Sequence, residues 1–249
     1  MKTYLINLDR SKDRLEVMKE RLSAIGVTVE RISGVDGSKI DIESLSVDVP
    51  NPSYPRSLTP GEIGCFLSHR KCWEKLVESG DDWALILEDD CIFHPSASRY
   101  LTSIDWVPDG CQLIHFYYTN KAKVYTDKQI DLPDGNRLFR AKVSLPVGAY
   151  AYCISKEAAN IALELSQTIY EPVDNYLFGV FSPFPRRVDS WRLHGSILEP
   201  CREVQSTIPG RKVKAFSWYK FHPLRLFNKL MIKHQRRALQ SLYHFLMKE

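Results

Sequence analysis

The residues best suited to chemistry are three consecutive carboxylates, Glu88-Asp89-Asp90, directly after the apolar run Trp83-Ala84-Leu85-Ile86-Leu87. Like charges in a row repel and raise one another's pKa, so such a run is costly at a strand end unless something positive lies nearby. A hard divalent cation removes that cost, and Mg2+-type ions take one or two carboxylates together with substrate phosphates. In open α/β sheets, ligands bind at the carboxyl ends of the strands. A metal holding a nucleotide diphosphate is one reading of the triplet. A solvated acidic turn is the other.

The elements that must position these acids read as an α/β domain. Thr3 to Leu8 has the pattern of a buried strand, and Leu15, Met18, Leu22 and Ile25 follow at helical spacing, with Gly26 at the C-cap position. Val27 to Ile32 alternates as a second strand and ends in the turn Ser33-Gly34-Val35-Asp36-Gly37. Strand, helix, strand is a βαβ opening. Residues 41–60 carry four prolines and read as a loop. Thr59-Pro60-Gly61-Glu62 then predicts a helix start, with Thr59 as N-cap, Pro60 at the first position and Glu62 closing a capping box; the helix runs to about Glu78. Beyond the triplet, Gln112 to Tyr118 predicts a strand. Residues 119–142 read as a loop or hairpin around Pro133-Asp134-Gly135-Asn136. Val147 to Ile154 is apolar, Ser155 is the N-cap of a helix through about Ser166, and a short helix follows Pro172.

Length and composition bound the class. The 249 residues suffice for one well-buried domain or two small ones, and 44% apolar with 26% charged residues is ordinary for a globular chain. A largely disordered, collagen-like or multi-span membrane protein is excluded on that ground. The first residues have too short an apolar run for a signal peptide, and no stretch is long enough for a membrane span. The six cysteines are scattered without a C-x-x-C pair, which predicts buried thiols in a reducing compartment.

The net charge of +4 conceals an asymmetry. Residues 211–249 hold ten Lys/Arg against one acid, a surplus of +9, so residues 1–210 carry −5. The chain divides into a mildly acidic domain, 1–210, and a basic C-terminal tail, 211–249. In the tail Leu226, Phe227, Leu230, Met231, Leu239, Leu242 and Leu246 share a helical stripe, with Lys229, Lys233, Arg236 and Arg237 largely off it. A basic amphipathic helix of this kind predicts contact with an anionic membrane surface. Packing on its own domain is the alternative, and nucleic acid is the least favoured partner.

Several blocks together resemble glycosyltransferase family 25, which includes bacterial lipooligosaccharide galactosyltransferases and collagen galactosyltransferase domains. In order they are Ile6-Asn7-Leu8-Asp9-Arg10 with Asp13-Arg14, Gly34-Val35-Asp36-Gly37, and Gly61-Glu62-Ile63-Gly64-Cys65-Phe66-Leu67-Ser68-His69. Then come Leu85-Ile86-Leu87-Glu88-Asp89-Asp90, Gly148-Ala149-Tyr150-Ala151-Tyr152-Cys153-Ile154-Ser155, Pro172-Val173-Asp174, and Pro200 with Gln205. The resemblance covers about residues 1–206 and leaves out the basic tail.

The resemblance implies a GT-A-like, Rossmann-like nucleotide-sugar-binding domain with a mixed central sheet. Its metal motif falls on Glu88-x-Asp90: Asp90 is the direct ligand of Mn2+ or Mg2+, Glu88 lies on a metal-bound water or the ribose, and Asp89 supports. His194 is a further candidate metal ligand. Asn7, Leu8 and Arg10 fall where the nucleotide of a UDP-sugar would lie, and Arg10 or Arg14 suits its phosphates. Asp36 suits a ribose hydroxyl or the uracil N–H, with Gly34 and Gly37 there for positive φ or close approach. Ser68 and His69 complete the nucleotide side. Transfer with inversion needs one general base, which the resemblance puts at Asp174, with Asp189 and Glu157 in reserve; a helix-capping Asp174 is the alternative. Tyr150 and Tyr152 are candidates to stack on a sugar face.

The expected activity is a metal-dependent, inverting transfer of a hexose, galactose from UDP-galactose first, onto a lipid-anchored lipopolysaccharide or lipooligosaccharide core sugar. That implies a cytoplasmic enzyme, peripheral on the inner face of a bacterial inner membrane. The alternatives are the same fold using UDP-glucose, or a peripheral membrane or nucleic-acid-binding protein without turnover.

Overall fold

A computed structural model of the chain describes residues 1–41, 57–117, 128–141, 148–179, 182–195 and 197–201. The basic tail, with its expected amphipathic helix, and most of the proline-bearing loop lie outside the described residues, as does Gln205.

The chain opens with β1 (Lys2–Asn7), α1 (Lys12–Ala24) and β2 (Glu30–Ser33), followed by α2 (Pro60–Ser79) and β3 (Trp83–Glu88). β4 (Cys91–Phe93) and the short α3 (Ser98–Leu101) lead to β5 (Leu113–Tyr117) and then to the strands β6 (Gln129–Asp131) and β7 (Arg137–Arg140). β8 (Ala151–Ser155), α4 (Lys156–Leu165), α5 (Val173–Phe178), α6 (Phe184–Arg187), β9 (Ser190–His194) and β10 (Leu198–Pro200) complete the order. Eight strands form one mixed sheet in the order β2-β1-β3-β8-β5-β9-β7-β6, and β4 pairs antiparallel with β10 beside it. The α/β class with a mixed central sheet is as the sequence predicts.

Within the sheet β1 runs parallel to both β2 and β3, whereas β8 is inserted antiparallel between β3 and β5. The parallel trio therefore delivers three chain segments to one edge: Asn7 onward, Ser33 onward and Glu88 onward. Alternation of side chains along β3 settles which way the acids face. Ala84 and Ile86 pack with Phe66, Trp73 and Tyr152 on the α2 side, while Leu85 and Leu87 pack with Leu5, Met18 and Leu22 on the α1 side. Both faces are covered, which is why the run reads as continuously apolar.

The helix that carries the GCFLSH block starts as its sequence requires. The Thr59 Oγ1 accepts from the Glu62 N–H at 3.2 Å and the Glu62 carboxylate accepts from the Thr59 N–H at 2.9 Å, a cap worth about 1 kcal/mol. Burial of Phe66, Trp73 and Leu76 against the sheet contributes more, about 1.5–3 kcal/mol per side chain. Two glycines let this helix lie against the turn after β2. A Cβ on Gly37 would stand 2.1 Å from the Pro60 carbonyl oxygen, and one on Gly64 would stand 2.5 Å from the Val35 carbonyl oxygen.

Candidate functional site

The site grows from the carboxyl edge of β1, β2 and β3. Alternation carries Glu88 to the α2 side and Asp89 to the α1 side, and the two neighbours meet different partners. Arg14, on the first turns of α1, pairs its Nη2 with Asp89 Oδ1 and donates Nε–H to the Asp89 carbonyl at 3.3 Å. Asn7 donates to Asp89 Oδ2 at 2.6 Å and to the Ser11 carbonyl at 2.9 Å. Both Asp89 oxygens are thus taken. Burial still pushes the Asp89 carboxyl above its ordinary value, against the pull of Arg14 and then Asn7. Asp90 lies 3.9 Å from the same Arg14 guanidinium, keeps 28% of its side chain exposed, and accepts at its carbonyl from the Cys201 N–H at 2.6 Å.

Asn7 is almost wholly buried and acts as a hub. Its Oδ1 accepts from Arg31 Nε at 3.1 Å, and Arg31 also donates to the Asn7 carbonyl at 3.1 Å and to Asp9 at 2.5 Å. The Arg31 and Ser33 donors hold the Asp9 carboxyl below its usual range. On the rim Arg10 pairs with Asp36, which also accepts from the Ser38 hydroxyl at 2.8 Å and the Ser38 N–H at 3.1 Å. Ser38 first, and Arg10 after it, keep the Asp36 carboxyl low. Leu8 is half-buried. Gly34 and Gly37 have no positive φ, so close approach is their reason: a Cβ on Gly34 would lie 3.2 Å from the Leu8 side chain.

Ser68 turns inward. Its hydroxyl donates to the Gly64 carbonyl at 2.6 Å and accepts from the Val35 N–H at 2.8 Å, tying α2 to the turn after β2. His69 is fully buried, with Nε2 3.4 Å from Glu88 Oε1 and Nδ1 3.0 Å from the Tyr152 hydroxyl. Cys65, one helical turn earlier, brings its sulfur within 4.8 Å of the His69 and Glu88 donor atoms. All six cysteines are free thiols, and five are buried. Tyr152 belongs to the core and Tyr150 is nearly as buried, its carbonyl accepting from the Glu88 N–H at 2.8 Å.

Asp174 meets the backbone that precedes β8. Its Oδ2 accepts from the Gly148 N–H at 3.2 Å and its Oδ1 from the Asn175 N–H at 2.9 Å. Gly148 is two residues from Tyr150, and φ +82 there lets the chain turn into β8. The Gly148 carbonyl faces His115 Nε2 at 3.0 Å, and the His115 ring stacks on Phe178 of α5 at 3.8 Å between centroids. Burial drives the His115 pKa well down, so its ring is neutral. Of the reserve bases, Asp189 accepts from Arg140 at 2.5 Å and Glu157 lies in the first turn of α4.

The structure does not bring His194 to the triplet. It ends β9, level with Glu88 but three strands along, about 14 Å at the usual strand spacing, and its ring stands edge-on to Phe139. Sequence reasoning missed Arg31 and His115, whose partners are 24 and 33 residues away and which no local pattern marks. Trp73 falls at a core-facing helical position, but its partner Tyr152 is 79 residues on.

The family model described as Glycosyltransferase family 25 (LPS biosynthesis protein) matches residues 1–177. The chain belongs to glycosyltransferase family 25. Among its relatives, a glycosyltransferase 25 family member of Anopheles gambiae is 30% identical over 203 residues, covering 77% of this chain and 33% of that protein. Procollagen galactosyltransferase 1 of Danio rerio is 27% identical over 226 residues, 86% of this chain and 34% of that one. The lipooligosaccharide biosynthesis protein lic2B of Haemophilus influenzae is 26% identical over 182 residues, 71% of this chain and 66% of that one. The chain spans about a third of the length of the insect and fish relatives. No described helix is long and apolar enough to cross a membrane.

Proposed function

We propose that this family 25 chain is a metal-dependent, inverting hexosyltransferase that moves galactose from UDP-galactose onto a sugar of a lipopolysaccharide or lipooligosaccharide core. The observation that carries the reading is the gathering of the Asn7–Arg10 segment, the Gly34–Asp36 turn and the acidic triplet at one edge of three parallel strands, where α/β sheets bind nucleotides. The relatives named for galactose transfer and for lipooligosaccharide synthesis support the choice of donor and acceptor.

Glu88 and Asp90 fit a divalent cation. Each keeps over a quarter of its side chain exposed, and both are hard oxygen donors. Asp89 does not fit, since Arg14 and Asn7 hold its oxygens. Glu88 and Asp90 would hold Mn2+ or Mg2+ here, and such an ion would supply positive charge against the leaving diphosphate. The chain's own residues do the rest. Asp36 accepts from the ribose hydroxyl or the uracil N–H, and Arg10, half-exposed on the rim, turns from Asp36 to a phosphate oxygen. Asp174 takes the proton of the acceptor hydroxyl as that oxygen attacks the anomeric carbon from the side opposite the departing UDP. The basic tail holds the enzyme against anionic lipid, near its lipid-anchored acceptor.

Release of UDP from a panel of UDP-sugars, with a core oligosaccharide as acceptor and with or without Mn2+, tests the proposal. Turnover is expected with UDP-galactose and metal. Preference for UDP-glucose overturns the donor, and no turnover with any donor at saturating acceptor and metal overturns the activity.

A further inference from the structure

The core beneath the site contains a chain of polar groups where apolar ones would pack as well. Trp73, Tyr152 and His69 have no exposed surface. The Trp73 Nε1–H donates to the Tyr152 hydroxyl oxygen at 2.9 Å, and that hydroxyl lies 3.0 Å from His69 Nδ1. At the far end His69 Nε2 stands 3.4 Å from Glu88 Oε1. Each member of a buried polar chain costs stability unless it is satisfied, so its direction can be worked out from the donors available.

An indole nitrogen only donates. Tyr152 therefore receives from Trp73 and has one proton of its own to place. Burial raises the Tyr152 pKa well above the ordinary phenol value, so the hydroxyl keeps that proton. Among the described residues the acceptor within reach is His69 Nδ1. With Nδ1 accepting, the neutral imidazole bears its hydrogen on Nε2, which points at Glu88. The His69 and Tyr152 rings lie nearly parallel, 5.6 Å apart at 23°, and Phe66 edge-on and Tyr176 tilted at 31° pack against Trp73, so the chain is held in place.

We propose that Trp73, Tyr152 and His69 form a one-way hydrogen-bond relay ending as an Nε2–H donated to Glu88, so that His69 is a positioning residue for the acidic strand end. The relay fixes one imidazole tautomer and leaves Glu88 an acceptor whose carboxylate is aimed from beneath. The proposal rests on the reading of Glu88 as a carboxylate of the donor site.

The test uses the full chain. Side-chain 15N NMR of the histidines, with the His69 signals assigned by their loss in His69→Gln, should show an unprotonated Nδ1 and a protonated Nε2. In Tyr152→Phe, which keeps the ring and removes the hydroxyl, that single tautomer should give way to a mixture. Mn2+-assisted UDP binding should fall about tenfold in His69→Leu, the loss of one hydrogen bond to a charged group. In His69→Gln, whose amide can still donate to Glu88, it should stay within about threefold of wild type. An Nδ1–H tautomer in the wild type overturns the relay and leaves the site reading intact. Zn2+ captured on Nε2 by Cys65, His69 and Glu88 also overturns it. Equal loss in His69→Leu and His69→Gln assigns His69 to packing alone. A correct tautomer with UDP binding indifferent to Glu88→Gln removes the site reading itself.

Discussion

The two flanks of the acidic strand end are built from different physics. On the α1 flank the contacts are charged and partly wet: Arg14 with Asp89, Arg31 with Asp9 and Asn7, Arg10 with Asp36. On the α2 flank they are mostly buried hydrogen bonds and ring contacts: Trp73 to Tyr152 to His69, and His115 stacked on Phe178 beside Gly148. Ion pairs near the surface exchange partners at little cost, because solvent screens what they gain. A dry hydrogen-bonded chain does not, because each member left unsatisfied costs about 1–3 kcal/mol. On the proposed reading the exposed Arg10–Asp36 rim exchanges a charged ligand, while Arg14–Asp89 and the dry α2 side fix orientation.

Four substitutions would break or sharpen that division. The largest effect is expected at the rigid side. Asp174→Asn keeps an acceptor for one of the two N–H groups, that of Gly148 or of Asn175, but removes the proposed base, so kcat should fall about a thousandfold with the fold intact. A loss confined to thermal stability would make Asp174 only a cap.

Glu171, three residues earlier, is almost wholly buried, and its carboxyl is pushed up to about 7 by burial first and by Asp174 thereafter. A carboxyl whose folded pKa is raised binds its proton more tightly when folded, so its stabilising effect is complete below about 4.5 and fades as pH rises to about 7. Glu171→Gln should therefore flatten the stability profile across that window and gain up to about 3 kcal/mol on wild type at pH 8, read from denaturant midpoints. Parallel profiles would show that Glu171 is satisfied as an anion.

On the charged flank, Asp89→Asn leaves the Arg14 guanidinium with only the more distant Asp90 carboxylate, 3.9 Å away, among the described residues. It should cost about 2 kcal/mol, a fall of several degrees in Tm. An unchanged Tm would place Asp89 on the ligand instead. Arg10→Ala should be the mildest, because the Arg10–Asp36 pair is exposed and screened by solvent: stability should barely change, while UDP affinity drops about threefold. Unaltered UDP affinity would remove Arg10 from the phosphate side.

The legibility of these flanks in the sequence differs for a physical reason. Local signals carried far. The unbroken Leu85-Ile86-Leu87 run marks a strand buried on both faces, Thr59-Pro60-Gly61-Glu62 marks a capped helix, and Gly26 takes φ +74 just after the C-cap residue Ile25. The turn around Pro133-Asp134-Gly135-Asn136 joins β6 to β7 as a hairpin. Strand order was not legible. That β8 enters antiparallel between β3 and β5, and that β9 follows β5 in parallel, depends on packing between segments far apart in the chain. The same holds for side chains. His69 was visible as a histidine on a helix, but its partner Tyr152 is 83 residues on. The triplet motif gives Asp89 a supporting role, but only the alternation of β3 and the fold of α1 show that what it supports is Arg14. His194 is a candidate ligand only by analogy with a late histidine in related folds, and nothing local fixes how many strands separate it from Glu88.

The central claim is that Glu88 and Asp90 face a metal-bound donor while Asp89 belongs to the scaffold. Calorimetric titration of UDP into wild type, Asp90→Asn and Asp89→Asn, each with and without Mn2+, tests it most directly. The account predicts that Mn2+ tightens UDP binding in wild type and in Asp89→Asn, and that Asp90→Asn loses this gain. Metal-dependent binding that survives in Asp90→Asn, or that disappears in Asp89→Asn alone, would contradict it.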